Sequence, residues 1–79
     1  MKLWIISQNE NNDYDTYDSA VVAAETEDEA RVTMPSEFEE FGKAYGAWCS
    51  GPDKVKVELI GKAVSGTEAG VVLASFNAG

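Results

Sequence analysis

The densest run of side chains with chemistry to offer is Asn11-Asn12-Asp13-Tyr14-Asp15-Thr16-Tyr17-Asp18, three carboxylates at spacings of two and three with two tyrosines among them. Carboxylates so placed ligate a hard cation when the chain turns sharply around it. A calcium loop begun at Asp13 puts Asp15 at its third position. Tyr17 then falls at the fifth, Asp18 where the turn demands glycine, and Ala24 where the bidentate glutamate belongs. The match fails, and the run reads as a solvated turn or hairpin loop, with a weak, irregular cation site as the alternative. General acid–base work by paired carboxylates needs a walled cleft that separates their pKa values, and a loop on so short a chain has poor walls.

Other catalytic chemistry finds little support. The chain has no histidine, which removes the usual general base, the commonest metal ligand and every Ser-His or Cys-His nucleophile pair. Cys49 stands alone behind Trp48 with no basic neighbour to form a thiolate, and it reads as a small buried hydrophobe. Gly61, Gly66 and Gly70 lack the spacing of a phosphate-binding loop, and Gly66 and Gly70 read as turn residues. The expectation is a protein that is not an enzyme and that needs no cofactor and no metal.

What remains is charge. Fourteen Asp and Glu oppose six Lys and Arg, for a formal charge of −8. Residues 1–52 hold eleven of the carboxylates against Lys2, Arg31 and Lys43, so the whole excess lies there and the remainder is neutral. Such a field repels nucleic acid and anionic membrane surfaces and steers the protein toward basic partners at salt-sensitive rates. Its bland reading is solubility alone. Two aromatic side chains inside the acidic loop favour an interface, because binding energy concentrates on a few such anchors. The candidate contact residues are Asp13, Asp15 and Asp18 in the loop, Glu27, Asp28, Glu37, Glu39 and Glu40 at two helix starts, and Tyr14 and Tyr17 as anchors.

The elements that must position them follow from pattern. Leu3 to Ser7 is β-branched and aromatic and reads as a mostly buried strand, with Ser19 to Ala24 its antiparallel partner across the polar loop. Thr26 and Glu29 have capping-box spacing, so a short helix begins there, with Pro35 as its stop. Ser36 and Glu39 repeat that spacing, and Phe38, Phe41, Tyr45 and Trp48 lie on one face of a second helix, broken by Gly42 and Gly46. Its aromatic stripe reads as core packing. Gly51-Pro52-Asp53 is a turn. Val55, Val57 and Leu59 alternate with Lys56 and Glu58 as a half-exposed strand, and Val71 to Phe76 is a last one. The expected fold is α+β, one domain over residues 1–79: a small four-stranded antiparallel or mixed sheet with one or two short helices on one face. Two free sheet edges leave monomer and homodimer both open. The apolar run at the amino terminus is too short for a secretory signal, no stretch is long enough to span a bilayer, and a single cysteine suits a reducing compartment. A cytoplasmic protein is expected.

Several strings carry a resemblance. Ile6-Ser7-Gln8 leading to Asn12-Asp13-Tyr14-Asp15-Thr16-Tyr17-Asp18-Ser19, then Val21-Val22-Ala23-Ala24-Glu25, resembles a family of short phage and prophage proteins. So do Trp48-Cys49-Ser50, the run from Pro52 to Gly61, and the closing Ala74-Ser75-Phe76-Asn77-Ala78-Gly79. Pro35 to Ala47 is the least family-like stretch. A member of this kind looks like an anti-CRISPR protein against a type I-C system. The resemblance implies an inhibitor in the bacterial host cell that meets a basic surface of a CRISPR-Cas effector subunit, with no direct nucleic acid and no membrane partner. An acidic face suits that target, since such complexes line their nucleic-acid channels with Lys and Arg. The alternative is an acidic binding module that inhibits another host nucleic-acid-binding protein.

Overall fold

Strand β1 (Lys2–Ser7) is Lys-Leu-Trp-Ile-Ile-Ser, and its residues alternate between two faces. Trp4 and Ile6 go into the core, while Leu3, Ile5 and Ser7 are half-buried on the reverse. Strand β2 (Thr16–Ala24) returns antiparallel, with Ile5 opposite Val21 and Ser7 opposite Ser19. Strand β3 (Lys56–Lys62) lies on the outer side of β1 and strand β4 (Gly70–Asn77) on the outer side of β2, both antiparallel. The order is therefore β3-β1-β2-β4, a computed structural model of the chain whose described residues are 1–11, 15–36, 40–42 and 47–77. The link from β3 to β4 crosses the sheet from edge to edge over residues 63–69, held where Ala63 N–H donates to Met1 O at 3.0 Å. Gly66 has φ +92° in its turn, a left-handed geometry that costs a side-chain-bearing residue free energy and glycine little.

The helix begins as its capping signal predicts. Thr26 is extended (φ −133°, ψ 161°), and its Oγ1 accepts from Glu29 N–H at 3.2 Å, so α1 (Glu27–Arg31) starts with one orphan donor satisfied. It is only five residues long and ends at Val32, three positions before Pro35. Proline is therefore not the stop: Thr33 N–H already bonds back to Ala30 O, and Thr33 Oγ1 donates to Glu29 O. A helix so short does not persist on propensity, and its attachment is tertiary. Ala30 is fully buried, and the Arg31 guanidinium donates to the carbonyls of Val55 and Pro52.

One sheet face carries the core: Trp4, Ile6, Ala20, Val22 and Ala24 beneath Ala30, Trp48, Cys49 and Val55, with Met34 and Phe41 packed at its margin. Each large aliphatic side chain fully buried here contributes roughly 1.5–3 kcal/mol. Trp4 Nε1 donates to Ala24 O at 3.0 Å. Phe41 and Trp48, two members of the aromatic stripe, do serve the core, while Phe38 and Tyr45 lie outside the described residues, as does most of the expected second helix. Among the described residues the helical content is α1 and the single 3-10 turn Pro52–Lys54, so the fold is mainly sheet. The alternation read in β3 also needs correcting. Val55 precedes the strand and is buried, whereas Leu59, on the edge strand, is 57 % exposed. Among the described residues no helix is long and apolar enough to cross a membrane.

Candidate functional site

The acidic loop is positioned by a buried amide. Gln8 is 7 % exposed, and its side chain uses all of its main bonding directions. Oε1 accepts from the N–H groups of Glu10 (2.9 Å) and Asn11 (2.8 Å), and Nε2 donates to the carbonyls of Asn11 and Tyr17, both at 2.8 Å. An amide can do this for a turn that has no ladder partners of its own. The loop is then tied to the segment before the 3-10 turn. Tyr17 N–H donates to Ala47 O at 2.8 Å and Asn11 Nδ2 to Trp48 O at 3.3 Å. Glu10 closes the clasp, accepting from Ser50 N–H (2.7 Å) and Ser50 Oγ (2.9 Å). Those two bonds, aided by the Lys54 charge, hold the Glu10 carboxyl below the usual carboxylate range.

Asp15 and Asp18 are exposed, Asp15 just ahead of β2 and Asp18 as its third residue rather than in the loop, and neither makes an ion pair among the described residues. Asp15 sits at φ +62°, a left-handed conformation that aspartate tolerates better than most residues. Thr16, between them, is buried at the start of β2. Tyr17 is half-buried, its ring 4.8 Å from that of Phe76 and against the core margin, so this side chain is fixed rather than free-standing. Asp13 and Tyr14 lie outside the described residues, and so do Glu37 and Glu39.

The second acidic group is one turn of α1. Glu27 and Asp28 are exposed, and Glu29 joins them. Glu29 was passed over in the sequence because its spacing suggested a capping role, yet its backbone N–H makes the bond to Thr26 and its carboxylate stays in solvent. Arg31 Nη2 lies 3.3 Å from Glu27, an exposed i,i+4 pair that partly offsets that one charge. Glu40 is exposed. The two groups lie toward opposite ends of β2, a strand of nine residues that includes Asp18 and runs roughly 27 Å at the rise of a strand. Among the described residues, the predicted Asp15, Asp18, Glu27 and Asp28 therefore do not converge on one pocket. They form two exposed acidic ends on a molecule of 36 × 23 × 19 Å.

Among the described residues no three His, Cys, Asp or Glu side chains cluster as metal ligands would. Cys49 is 1 % exposed, its Sγ facing Gly51 O at 3.5 Å, and burial pushes its thiol pKa up, away from nucleophilic use. Gln8 and Glu10 matter as positioning residues, and neither was legible. A glutamine among asparagines looks like solvent-facing loop, and Glu10 meets a partner forty residues away. The arrangement defines a small antiparallel sheet domain that displays carboxylates at two ends. Compared with known families, curated proteins and solved structures, the chain matches no family model, no curated sequence and no structure.

Proposed function

We propose that this chain is a stoichiometric anti-CRISPR inhibitor, which presents its acidic ends to the basic nucleic-acid-binding surface of a type I-C effector complex and blocks target DNA binding. The observation that supports it best is the display of Asp15, Asp18, Asp28 and Glu29, all exposed and all outside any ion pair among the described residues. Carboxylates toward both ends of β2 suit a channel of Lys and Arg that follows the closely spaced charges of a phosphate backbone. The buried Gln8 amide and the Ser50 clasp tie residues 8–11 to Tyr17 and Ser50, which limits the ordering cost of binding there. The contact set is Asp15, Asp18, Asp28, Glu29 and Glu40, with Asp13, Glu37 and Glu39 flanking it in sequence. Tyr14 and Tyr17 serve as anchors and Glu27 as a weaker member.

The test is binding of the purified protein to a type I-C effector complex at low and high salt, with and without target DNA. Binding that weakens with salt and excludes DNA is expected. Replacing Asp13, Asp15 and Asp18 together by Lys should abolish competition while leaving the circular dichroism spectrum in place. Unchanged inhibition by that variant removes the loop from the interface. No binding at any salt, with both partners folded, rejects this target and moves the search to other host nucleic-acid-binding proteins.

A further inference from the structure

Carboxylates outnumber cations fourteen to six in this chain, yet one polar hollow is lined by two lysines and no carboxylate. It encloses about 180 Å³ between Ser7 at the end of β1, Gln8 and Asn9 just beyond, Lys54 at the end of the 3-10 turn and Lys56 at the start of β3. Strand register assembles it: Ser7 is opposite Lys56 across the β1–β3 ladder, so the two side chains rise from one face. The buried Gln8 amide, bonded to loop backbone at both its oxygen and its nitrogen, gives the hollow a fixed wall. Three carboxylates lie near in sequence, and none lines it. Glu10 accepts from Ser50 N–H and Oγ. Asp53 Oδ1 folds back over Gly51, 2.8 Å from where a Cβ on that glycine would stand. Glu58 pairs with Lys56 at 3.2 Å, with both side chains exposed. Lys54 makes no ion pair among the described residues, only its longer-range charge reaching Glu10.

We propose that this hollow binds a phosphoryl group, held between the Lys54 and Lys56 ammoniums with the Ser7 hydroxyl as a further donor. Charge and size select that chemistry. A phosphate monoester carries about −1.5 to −2 charges at pH 7, which two lysines match as point charges, whereas a carboxylate carries one and leaves an ammonium over. The volume lies below the roughly 300–1,000 Å³ of sites that enclose a drug-sized ligand, so the hollow takes a small ion or the terminal phosphate of a larger molecule. The overall charge of −8 weakens the site without forbidding it. Ser7 is opposite Ser19, and the carboxylates of α1 follow Ala24, roughly 16 Å further along β2 and beyond the Debye length of about 8 Å at physiological ionic strength. Glu58 is the nearest competitor, and an exposed pair such as Lys56–Glu58 is weak enough to exchange for a doubly charged ligand. The site does not depend on the inhibitory role proposed above.

Titration of the isotope-labelled protein with inorganic phosphate, read by backbone amide shifts at constant ionic strength, tests it, with acetate and chloride as comparison anions. Saturable shifts centred on Ser7, Gln8, Asn9, Lys54 and Lys56 are expected, with acetate binding more weakly. Lys54→Gln, at an exposed side chain, should weaken phosphate binding by about tenfold while circular dichroism shows the fold intact. Glu58→Gln should tighten binding by releasing Lys56, and Glu68→Gln, which removes the same charge from the link beyond the other end of β3, should change it less. Adenosine monophosphate separates the two sources of the ligand: tighter binding than inorganic phosphate assigns the site to the phosphate of a nucleotide, equal or weaker binding to the free ion. Shifts that fail to saturate, or that fall equally on Lys2 and Lys62, overturn the proposal. So do acetate binding as tight as phosphate and a Lys54→Gln variant that binds like wild type.

Discussion

Replacing Gln8 by alanine should do more harm than its place in a polar loop suggests. The substitution removes four hydrogen bonds and leaves the N–H groups of Glu10 and Asn11 and the carbonyls of Asn11 and Tyr17 without their partner. At roughly 0.5–1.5 kcal/mol net for each, and with some of these groups able to recover water, the expected loss is about 2–4 kcal/mol. A domain of this length has a total stability of about 4–12 kcal/mol, so the change consumes a large share of it. Urea unfolding followed by tryptophan fluorescence reads the effect as a lower midpoint with the slope unchanged. Gln8→Glu separates bonding from packing. A carboxylate still accepts from the two N–H groups but confronts the Asn11 and Tyr17 carbonyls, which want a donor. The folded state therefore favours its protonated form, the pKa rises above the ordinary carboxylate value, and the variant loses stability as pH rises through the carboxylate range. Its deficit against wild type should be largest at neutral pH and smallest in acid. A Gln8→Ala shift under about 0.5 kcal/mol would refute the claim that this amide holds the loop.

Other outcomes follow from single contacts. Trp48 Nε1 is buried without a hydrogen-bond partner among the described residues, whereas Trp4 Nε1 bonds to Ala24 O, so Trp4→Phe should cost about 1–2 kcal/mol more than Trp48→Phe in thermal or urea unfolding. The reverse order would contradict the bonding assigned to the two indoles. Because the Glu10 pKa is depressed, its clasp stabilises the fold above the unfolded-state value and loses that effect as pH falls through the folded one. Glu10→Ala should thus be less stable than wild type near neutral pH and indistinguishable from it in strong acid. Cys49, at 1 % exposure, should react with a thiol reagent only as fast as the domain opens, and rapid labelling of the native protein would contradict its burial.

Much of the fold was legible because local pattern and tertiary demand agree. Trp4 and Ile6 alternate with Leu3 and Ile5, which suffices for a strand, and Thr26 with Glu29 marks the start of α1. The end of α1 was misread because Pro35 looks decisive in sequence, while a five-residue helix lasts only as long as Arg31 finds the Val55 carbonyl and Ala30 the core. Leu59 was misplaced for a related reason: alternation tells which residues share a face and not whether anything covers that face.

The carboxylates were identifiable from composition, since charged side chains with no buried partner stay in solvent wherever the chain puts them. Their division into two ends was not. It depends on β2 running nine residues between the loop and the helix, with α1 turned back onto the sheet at its far end. By itself the sequence determined the strands, the helix start, the acidic excess and the poverty of catalytic groups, all of which are local or additive properties. Only the tertiary structure decided the strand order and the Gln8 and Glu10 bonds at the base of the loop. Those depend on which distant segments meet, and residue type and spacing along a chain do not specify that.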